Sequence, residues 1–378
     1  MSESLLVIRN LKVNFYTYAG VVKALDGINL ELRKGETLGL VGETGCGKSV
    51  TSLAIMRLVP DPPGKIDDGE IMLRGRDLLK LNENEMREVR GNVITMVFQD
   101  PTTFLNPVMT LGEQVAETLL IHRDLRKDLV EERIKELSDK LEKKELTSKD
   151  AEALKTEIEE LRKLEPAKFH ASRRDLKQVA MMRSVELLRT VRLAEPETVV
   201  KQYPHELSGG MRQRVIIAMA IACRPELLIA DEPTTALDVT IQAQILDLLN
   251  ELKHTMGLSV MLITHDLGVV AETCDRVAVM YAGNIVEIAH TDRLFEKPLH
   301  PYTEAMLRAI PKVTERRTEL ESIHGSVPNL IEPPSGCRFH PRCPFVMDIC
   351  RKLKPELVEV EPGHLVACFL HTKEEHQT

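Results

Sequence analysis

The chain has 378 residues, of which 43% are hydrophobic and 29% are charged, so it is long enough to bury a sizeable core. The charged fraction, and the lack of an apolar run of roughly 20 residues, exclude a membrane-spanning protein. A net charge of −8 argues against a protein that binds nucleic acid with its whole surface. The first residues contain no basic stretch, so we expect no signal peptide.

Apolar periodicity predicts strands and helices that alternate over much of the chain. In chain order we predict strands at 5–13, 28–32 and 37–41, a helix at 49–59, strands at 71–73 and 93–98, a largely helical stretch to about residue 200, a helix after residue 210, a strand at 227–230, a helix at 241–256, and strands at 259–264, 277–280 and 285–288. Strands that alternate with helices predict an α/β fold with a parallel sheet.

The segment from about 122 to 182 differs in composition from its surroundings. Apolar residues recur there at helical spacing among lysines and glutamates: Ile134, Leu137 and Leu141, then Leu154, Ile158 and Leu161. Thr147 and Asp150 resemble a capping box that opens a second helix. We therefore predict a charged helical hairpin, which is either a solvated spacer or a docking arm.

Residues 42–49 fit the pattern G-x-x-x-x-G-K-S between a predicted strand and a predicted helix. Glycines in such a loop let backbone N–H groups face phosphates without a Cβ in the way. The lysine supplies a positive charge, and the serine hydroxyl can bind Mg²⁺. The predicted nucleotide-binding residues are Gly42, Glu43, Thr44, Gly45, Cys46, Gly47, Lys48, Ser49 and Val50. The alternative is a purely structural glycine turn.

Polar residues that follow three predicted strands suit the hydrolysis of the terminal phosphate of a bound nucleotide. Asp231 would hold Mg²⁺ through water, and Glu232 would act as general base toward the attacking water. Gln99 could reach Mg²⁺ or that water, and His265 could contact the water and the γ-phosphate. The alternatives without a catalytic role are turns at the ends of strands for the acidic pair and for Gln99, and a packing residue for His265.

A second candidate phosphate contact lies in the sequence Leu-Ser-Gly-Gly, at Ser208, Gly209 and Gly210, before a predicted helix. The phosphate loop already serves the nucleotide within one monomer, so this turn needs a nucleotide held by another subunit. We infer head-to-tail dimers that enclose ATP between Lys48 and the other subunit's Ser208. Asp238 suits a contact across that dimer, and it could equally be a helix N-cap.

These motifs, in this order, resemble the nucleotide-binding subunits of ABC transporters. The resemblance covers about 5–290 and implies an ATPase with a RecA-like parallel-sheet core, an antiparallel β subdomain and an α-helical subdomain. It places the helical subdomain at about 100–215, with the hairpin inserted in it. Tyr16 or Tyr18 would stack on adenine, with Tyr18 favoured, although either could be plain sheet packing.

Several stretches are similar to the dipeptide and oligopeptide importer ATPases: 41–50, 98–101, 203–214, 300–303 and the tail 325–344. The resemblance implies two transmembrane permease subunits, an extracytoplasmic solute-binding protein and a second ABC ATPase subunit, in a heterodimer or a homodimer, at the cytoplasmic face of the membrane. Some relatives with this tail carry oligosaccharides or nickel instead. The rival is a soluble ABC ATPase that acts on DNA ends or ribosomes, although we expect no nucleic-acid partner.

Four of the seven cysteines are clustered in the C-terminal part of the chain, with the spacing C-x5-C-x6-C-x17-C: Cys337, Cys343, Cys350 and Cys368. Four thiolates suit zinc or an iron–sulfur cluster, and most structural zinc sites use shorter spacings. Similar tails in the family are associated with a [4Fe-4S] cluster. The alternatives are Zn²⁺ and reduced or disulfide-linked cysteines. We expect an irregular module at 291–378 that such a cluster would staple together.

Overall fold

The computed structural model describes residues 3–98, 104–142, 148–163, 165, 169–235, 237–309, 323 and 325–372. The strands of these residues are β1 (Ser4–Thr17), β2 (Gly20–Arg33), β3 (Thr37–Val41), β4 (Gly64–Leu73), β5 (Arg76–Asp77), β6 (Ile94–Val97), β7 (Leu227–Asp231), β8 (Ser259–Ile263), β9 (Arg276–Tyr281), β10 (Asn284–His290), β11 (Val358–Glu361) and β12 (His364–Val366).

The α-helices of the same residues are α1 (Lys48–Ile55), α2 (Glu83–Val89), α3 (Leu111–His122), α4 (Arg126–Glu142), α5 (Ser148–Lys163), α6 (Arg173–Thr190), α7 (Pro196–Val199), α8 (Gly209–Ile221), α9 (Val239–Met256), α10 (Leu267–Thr273), α11 (Thr291–Glu296), α12 (Pro301–Arg308) and α13 (Asp348–Lys352). No helix in the described ranges is long and apolar enough to cross a membrane.

The chain divides into two compact units, and the first comprises Met1–Arg90, Ile94–Gln99 and Glu226–Thr378. This unit contains a four-stranded antiparallel sheet in the order β2-β1-β4-β5 and an eight-stranded sheet in the order β11-β12-β10-β9-β3-β8-β7-β6. The strands from β9 to β6 run parallel. Every residue of β3, β7, β8 and β9 is buried, as expected for parallel strands covered on both faces. The parallel core and the antiparallel sheet of the predicted mixed α/β fold are therefore both present.

The second unit comprises Gly91–Val93 and Asp100–Pro225 and is helical. Two of its helices begin at capping boxes: Thr110 and Glu113 form one for α3, and Ser172 and Asp175 form another for α6. A small apolar core joins the helices, and its buried members are Ala116, Leu119, Leu125, Ala180 and Ala222.

The predicted hairpin corresponds to α4 and α5, which pack against each other in the second unit. Arg133 on α4 is paired with Glu157 on α5 at 3.2 Å, and Leu137 and Ile158 are buried. Most of the remaining surface of the pair is charged, which explains why its apolar pattern is narrow. Thr147, half of the predicted capping box, lies outside the described residues.

The C-terminal segment, residues 291–378, is more regular in its described part than the sequence suggests. Its strand β12 pairs with β10 and so extends the eight-stranded main sheet. A buried carboxylate, Glu287, stabilises this attachment. It accepts hydrogen bonds from the backbone amides of Leu299 and His300, at 2.7 and 2.9 Å, and contacts the His364 ring at 2.7 Å. A buried charge is tolerated when it is this fully paired. The segment is thus tied to the core of the first unit through backbone and side chains.

Candidate active site

The phosphate loop leaves the buried strand β3 at Gly42 and enters α1 at Lys48. Two of its glycines are required by close packing and by positive φ angles. At Gly42 φ is +152°, and a Cβ would lie 2.1 Å from the Met280 carbonyl oxygen. At Gly47, the N-cap of α1, φ is +109°, and a Cβ would lie 2.9 Å from the Ala24 carbonyl oxygen. Only glycine fits either position without displacing backbone.

Lys48 is buried, and its ammonium group donates to the carbonyl oxygens of Gly42 and Glu43, at 2.6 and 3.2 Å. The lysine side chain therefore bends back over the phosphate loop and is bound to the carbonyl oxygens at its start. No backbone carbonyl of the described residues accepts a hydrogen bond from the amides of Thr44, Gly45, Gly47 or Ser49. These N–H groups surround the start of α1, and together they form the kind of cradle that binds an anion. Cys46 is buried beneath the loop, where burial raises the pKa of its thiol, and Val50 follows in the first turn of α1.

Asp231 ends β7, two strands across the sheet from β3. Its carboxylate accepts a hydrogen bond from the Ser49 hydroxyl. Burial raises the pKa of Asp231, and the Glu232 carboxylate acts in the same direction, while Ser49 and the charge of Lys48 oppose the rise. The carboxylate and the hydroxyl are hard oxygen ligands that lie together, which is the donor chemistry that Mg²⁺ prefers.

Glu232 has a backbone φ of +47°, a left-handed conformation that is uncommon for a residue with a side chain. Its amide donates to the Ile263 carbonyl of the neighbouring strand β8 at 2.8 Å, which holds the turn in place. Thr235 donates to Oε2 at 3.0 Å, and His265 Nδ1 lies 3.1 Å from Oε1. Burial alone would raise the pKa of Glu232, but these two hydrogen bonds and the charges of His265 and Lys48 lower it below its usual value. Glu232 is therefore ionised at neutral pH and can accept a proton.

The structure thus brings together Lys48, Ser49, Asp231, Glu232 and His265. They lie at or just beyond the carboxyl ends of three adjacent strands, β3, β8 and β7. This is where ligands bind in open parallel sheets, because the loops there face a crevice. His265 is largely exposed, so its ring is open to a ligand. Gln99, the remaining predicted catalytic residue, lies outside the described residues.

The predicted second phosphate contact lies in the helical unit, at the start of α8. Ser208 is the N-cap of this helix and accepts from the Met211 amide at 3.4 Å, while Gly209 and Gly210 form the first turn. Asp238 is also an N-cap: it accepts from the Ile241 amide at 2.9 Å at the start of α9. That local role does not conflict with the predicted contact across a dimer, which stays a prediction.

The two candidate adenine-stacking tyrosines lie on the β1–β2 hairpin and are both exposed. The Tyr16 hydroxyl donates to Asp67 at 2.9 Å, and that hydrogen bond to a carboxylate raises the pKa of Tyr16. Tyr18 projects fully into solvent beside the turn at Gly20. Tyr18 is thus the more accessible of the two, and the choice between them stays a prediction.

The seven cysteines, all of which lie among the described residues, are free thiols. Four of them line one narrow cavity with Phe339 and His300: Cys337, Cys343, Cys350 and Cys368. Burial raises the pKa of Cys337 to about 11 and that of Cys368 to about 12, and the neighbouring thiols add to both shifts. The four thiols therefore meet at one place. However, over the described ranges no three His, Cys, Asp or Glu side chains are arranged to hold a metal ion.

The sequence did not reveal that the C-terminal segment contacts the phosphate loop. The Tyr302 hydroxyl accepts from the Glu43 amide at 2.9 Å, and the Arg342 guanidinium binds the Glu43 carboxylate through two hydrogen bonds of 2.7 and 3.0 Å. Tyr302 lies in the stretch His-Pro-Tyr-Thr, and Arg342 immediately precedes Cys343. Both belong to recognisable motifs, but the motifs do not say what these side chains touch.

Comparison with known proteins relates both parts of this site to one family. The model of the family described as "ABC transporter" matches residues 25–235, and that of the "Oligopeptide/dipeptide transporter, C-terminal region" matches residues 286–350. A dimeric ATP-binding cassette in a post-hydrolysis state, bound to ADP and phosphate, has the same fold, with a TM-score of 0.56 and 24% identity over 76% of this chain and 98% of that one.

Relatives in several bacteria match along nearly the whole length. A probable peptide ABC transporter ATP-binding protein of Sinorhizobium fredii is 48% identical, over 97% of this chain and 95% of its own. The oligopeptide transport ATP-binding proteins AppD of Bacillus subtilis and OppD of Escherichia coli are 45% and 43% identical, over 98% and 99% of this chain and 98% and 95% of their own. The chain belongs to the ABC transporter family, among the members that carry the oligopeptide/dipeptide transporter C-terminal region.

Proposed function

We propose that this protein is the ATP-hydrolysing subunit of a membrane ABC importer for dipeptides and oligopeptides. The observation that carries the proposal is the ionised Glu232, held by Thr235 and His265 beside the Asp231–Ser49 pair. An ATPase needs a positioned base next to a cation site and a phosphate cradle, and this arrangement supplies all three. The relatives named above for peptide and oligopeptide transport, which match over nearly the entire chain, support the solute class.

The chain's own residues divide the work of hydrolysis among them. The amides of the loop and Lys48 bind the phosphates, for which the lysine exchanges its carbonyl partners for phosphate oxygens. Ser49 and Asp231 would hold Mg²⁺, with Gln99 as a further ligand, and the bound cation would offset negative charge on the phosphates. Glu232 accepts the proton of the attacking water, and His265 orients that water and the γ-phosphate.

A second subunit completes the site in this proposal. Ser208, Gly209 and Gly210 present a hydroxyl and helix N-terminal amides to the γ-phosphate bound by the partner. Tyr18 or Tyr16 stacks on the adenine, and Asp238 contacts the opposite subunit. The second subunit is a related ABC ATPase, in a heterodimer or a homodimer. Because each nucleotide needs both chains, ATP binding closes the dimer and hydrolysis reopens it.

The proposed assembly also contains two transmembrane permease subunits and an extracytoplasmic solute-binding protein. The chain would attach to the cytoplasmic face of the membrane only through the permeases, and it would bind no nucleic acid. The α4–α5 hairpin is a candidate contact with the permeases. Oligosaccharide or nickel transport is the alternative within the same transporter type.

We also propose that Cys337, Cys343, Cys350 and Cys368 hold a [4Fe-4S] cluster, with Zn²⁺ as the alternative. Support comes from the chemistry of four thiols that line one cavity. The thiols are not in metal-binding positions in this structure, so binding would require them to deprotonate and move together. A bound cluster would supply cross-links for a segment that buries little core of its own.

Iron and acid-labile sulfide in anaerobically purified protein test the cluster. We expect both in the wild type and in Cys223→Ser, a control whose cysteine lies in the helical unit, and neither in Cys337→Ser. Stoichiometric zinc without iron would favour the alternative metal, and the absence of both metals would refute a metal site.

The transport function is tested with the chain reconstituted in vesicles together with its permeases and its second ATPase subunit. We expect ATP hydrolysis that rises when peptide-loaded binding protein is added, together with uptake of peptide. Stimulation by an oligosaccharide or by nickel, and not by peptides, would reassign the solute. An ATPase that copurifies with DNA or ribosomes and is stimulated by them would support the rival soluble class instead.

A further inference from the structure

One residue of the phosphate loop is held from outside the loop. Glu43 follows Gly42, and both its backbone amide and its carboxylate bind residues of the C-terminal segment, Tyr302 and Arg342. The amide is therefore committed to Tyr302, while the amides of Thr44, Gly45 and Gly47 remain available to a phosphate. The C-terminal segment thus holds the cradle at Glu43, and the amides that follow Glu43 can bind the ligand.

The groups that hold Glu43 are themselves rigidly packed. Tyr302 is fully buried, and its ring lies 4.7 Å from the ring of Tyr281 and 5.4 Å from that of Phe339, centroid to centroid. The Arg342 side chain is only 6% exposed, its guanidinium lies 5.7 Å from the Tyr281 ring centroid, and it donates to the Tyr281 hydroxyl at 3.3 Å. Locked supporting groups of this kind hold a binding site in a productive geometry.

The same segment also supports the turn beneath the loop. Arg338 donates to the carbonyl oxygens of Lys23 and Ala282, and the next amide, that of Gly283, donates to the Cys46 carbonyl at 2.7 Å. Arg342 therefore holds the phosphate loop at the Glu43 carboxylate. Arg338 holds it at the Cys46 carbonyl, through the turn that contains Ala282 and Gly283. Charge matters as well as shape, because an unpaired Glu43 carboxylate beside the loop would repel a triphosphate.

We propose that Arg342 and Tyr302 are positioning residues for ATP: by holding Glu43, they make the nucleotide affinity of the phosphate loop depend on the C-terminal segment. This inference rests on the proposed ATPase function. Arg342 lies next to Cys343 in the chain, so the Arg342–Glu43 ion pair connects the thiol cluster with the loop. Neither residue touches the reacting atoms; both act through Glu43.

The test is a double-mutant cycle on Arg342 and Glu43, with the dissociation constants of ATP and ADP measured by titration. We expect Arg342→Gln to weaken ATP binding about fivefold, the upper range for a partly exposed ion pair. Its effect on kcat at saturating ATP should be smaller than its effect on KM. In a Glu43→Gln background the same change should shift ATP affinity less than twofold, because the partner is gone.

Further variants keep the test decisive if Arg342→Gln folds poorly. Arg342→Lys keeps the charge and should recover part of the affinity, and Tyr302→Phe removes only the hydroxyl and should weaken binding about twofold. The matched control is Arg351→Gln, which changes an exposed arginine of the same segment and should leave ATP affinity as it is.

Two outcomes would overturn the inference. If ATP affinity is unchanged in both Arg342→Gln and Tyr302→Phe, the contacts serve only to attach the segment. If Arg342→Gln weakens ATP binding equally in the Glu43→Gln background, Arg342 does not act through Glu43. Failure of the ATPase proposal would look different, because the wild-type protein itself would then neither bind nor hydrolyse ATP.

Discussion

Replacing Glu232 with glutamine removes the proposed base and leaves most of its surroundings in place. A glutamine oxygen can still accept the hydrogen bond of Thr235, and the backbone bond to Ile263 is unaffected. The substitution removes the negative charge that interacts with His265 and Lys48. We therefore expect the folded structure to persist and the chemistry to change.

The size of the effect follows from the role of the carboxylate. A positioned general base contributes about 10²–10⁴-fold to a rate. At about 1.4 kcal/mol for each factor of ten, Glu232→Gln should raise the hydrolysis barrier by about 3–5 kcal/mol. ATP affinity should stay the same or increase, because a carboxylate near the phosphates is lost. The variant should accumulate in the ATP-bound, closed state.

Steady-state release of phosphate and equilibrium binding of ATP measure the two effects separately. Glu272→Gln is the matched control, since Glu272 is an exposed carboxylate on α10 of the same unit. It should hydrolyse ATP at the wild-type rate. A Glu232→Gln enzyme within tenfold of the wild-type kcat would refute the base assignment, and a large loss of ATP affinity would show that Glu232 serves binding instead.

Three further predictions concern pH, stability and the loop. The lowered pKa of Glu232 places the acidic limb of kcat/KM below the usual range for a glutamate. Thr235→Val removes one of the hydrogen bonds that lower this pKa, so it should move the limb to higher pH in a pH–rate profile. An unchanged limb would argue against Glu232 as the titrating base. Glu36→Gln should destabilise the protein by about 3–5 kcal/mol in denaturant unfolding, since it leaves the buried guanidinium of Arg276 without the negative charge that lies 3.0 Å from it. The paired change with Arg276→Met should cost less, and equal losses would show that packing, not charge, dominates. Gly42→Ala should abolish ATP binding, because its Cβ would meet the Met280 carbonyl oxygen. The control is Gly35→Ala, at a position with a positive φ but open space, which should lose only stability. ATP binding by Gly42→Ala near the wild-type level would mean that the loop can shift and still bind the nucleotide.

The regular elements of the first unit were largely predictable because each buries one or both of its faces, which leaves a clear pattern of apolar residues in the sequence. The strand at Thr37–Val41 occurs as predicted, since five consecutive residues are buried on both faces of a parallel sheet. The helix after the phosphate loop begins where the pattern placed it and ends earlier than predicted, at Ile55. Its C-cap residue, Met56, still lies in the helical region, and the chain turns away three residues before Pro60, at Arg57, whose φ is +50°.

The site was predictable to the extent that its chemistry is written in short motifs. Loop glycines, Lys48, the acidic pair and His265 are local signals, because a phosphate cradle or a strand-end carboxylate needs particular residue types at fixed spacings. The motif could not supply the left-handed turn at Glu232 or its hydrogen bond from Thr235, since both depend on the neighbouring strand β8.

The sequence by itself determined the order of the elements, the candidate nucleotide-binding residues and the clustering of the cysteines. Only the tertiary structure decided that β12 joins the main sheet and that Tyr302 and Arg342 hold Glu43. The residues of those contacts are 259 and 299 positions apart in the chain. A periodic pattern reports which face of an element is buried, but the partner that buries it is chosen by packing across the whole fold.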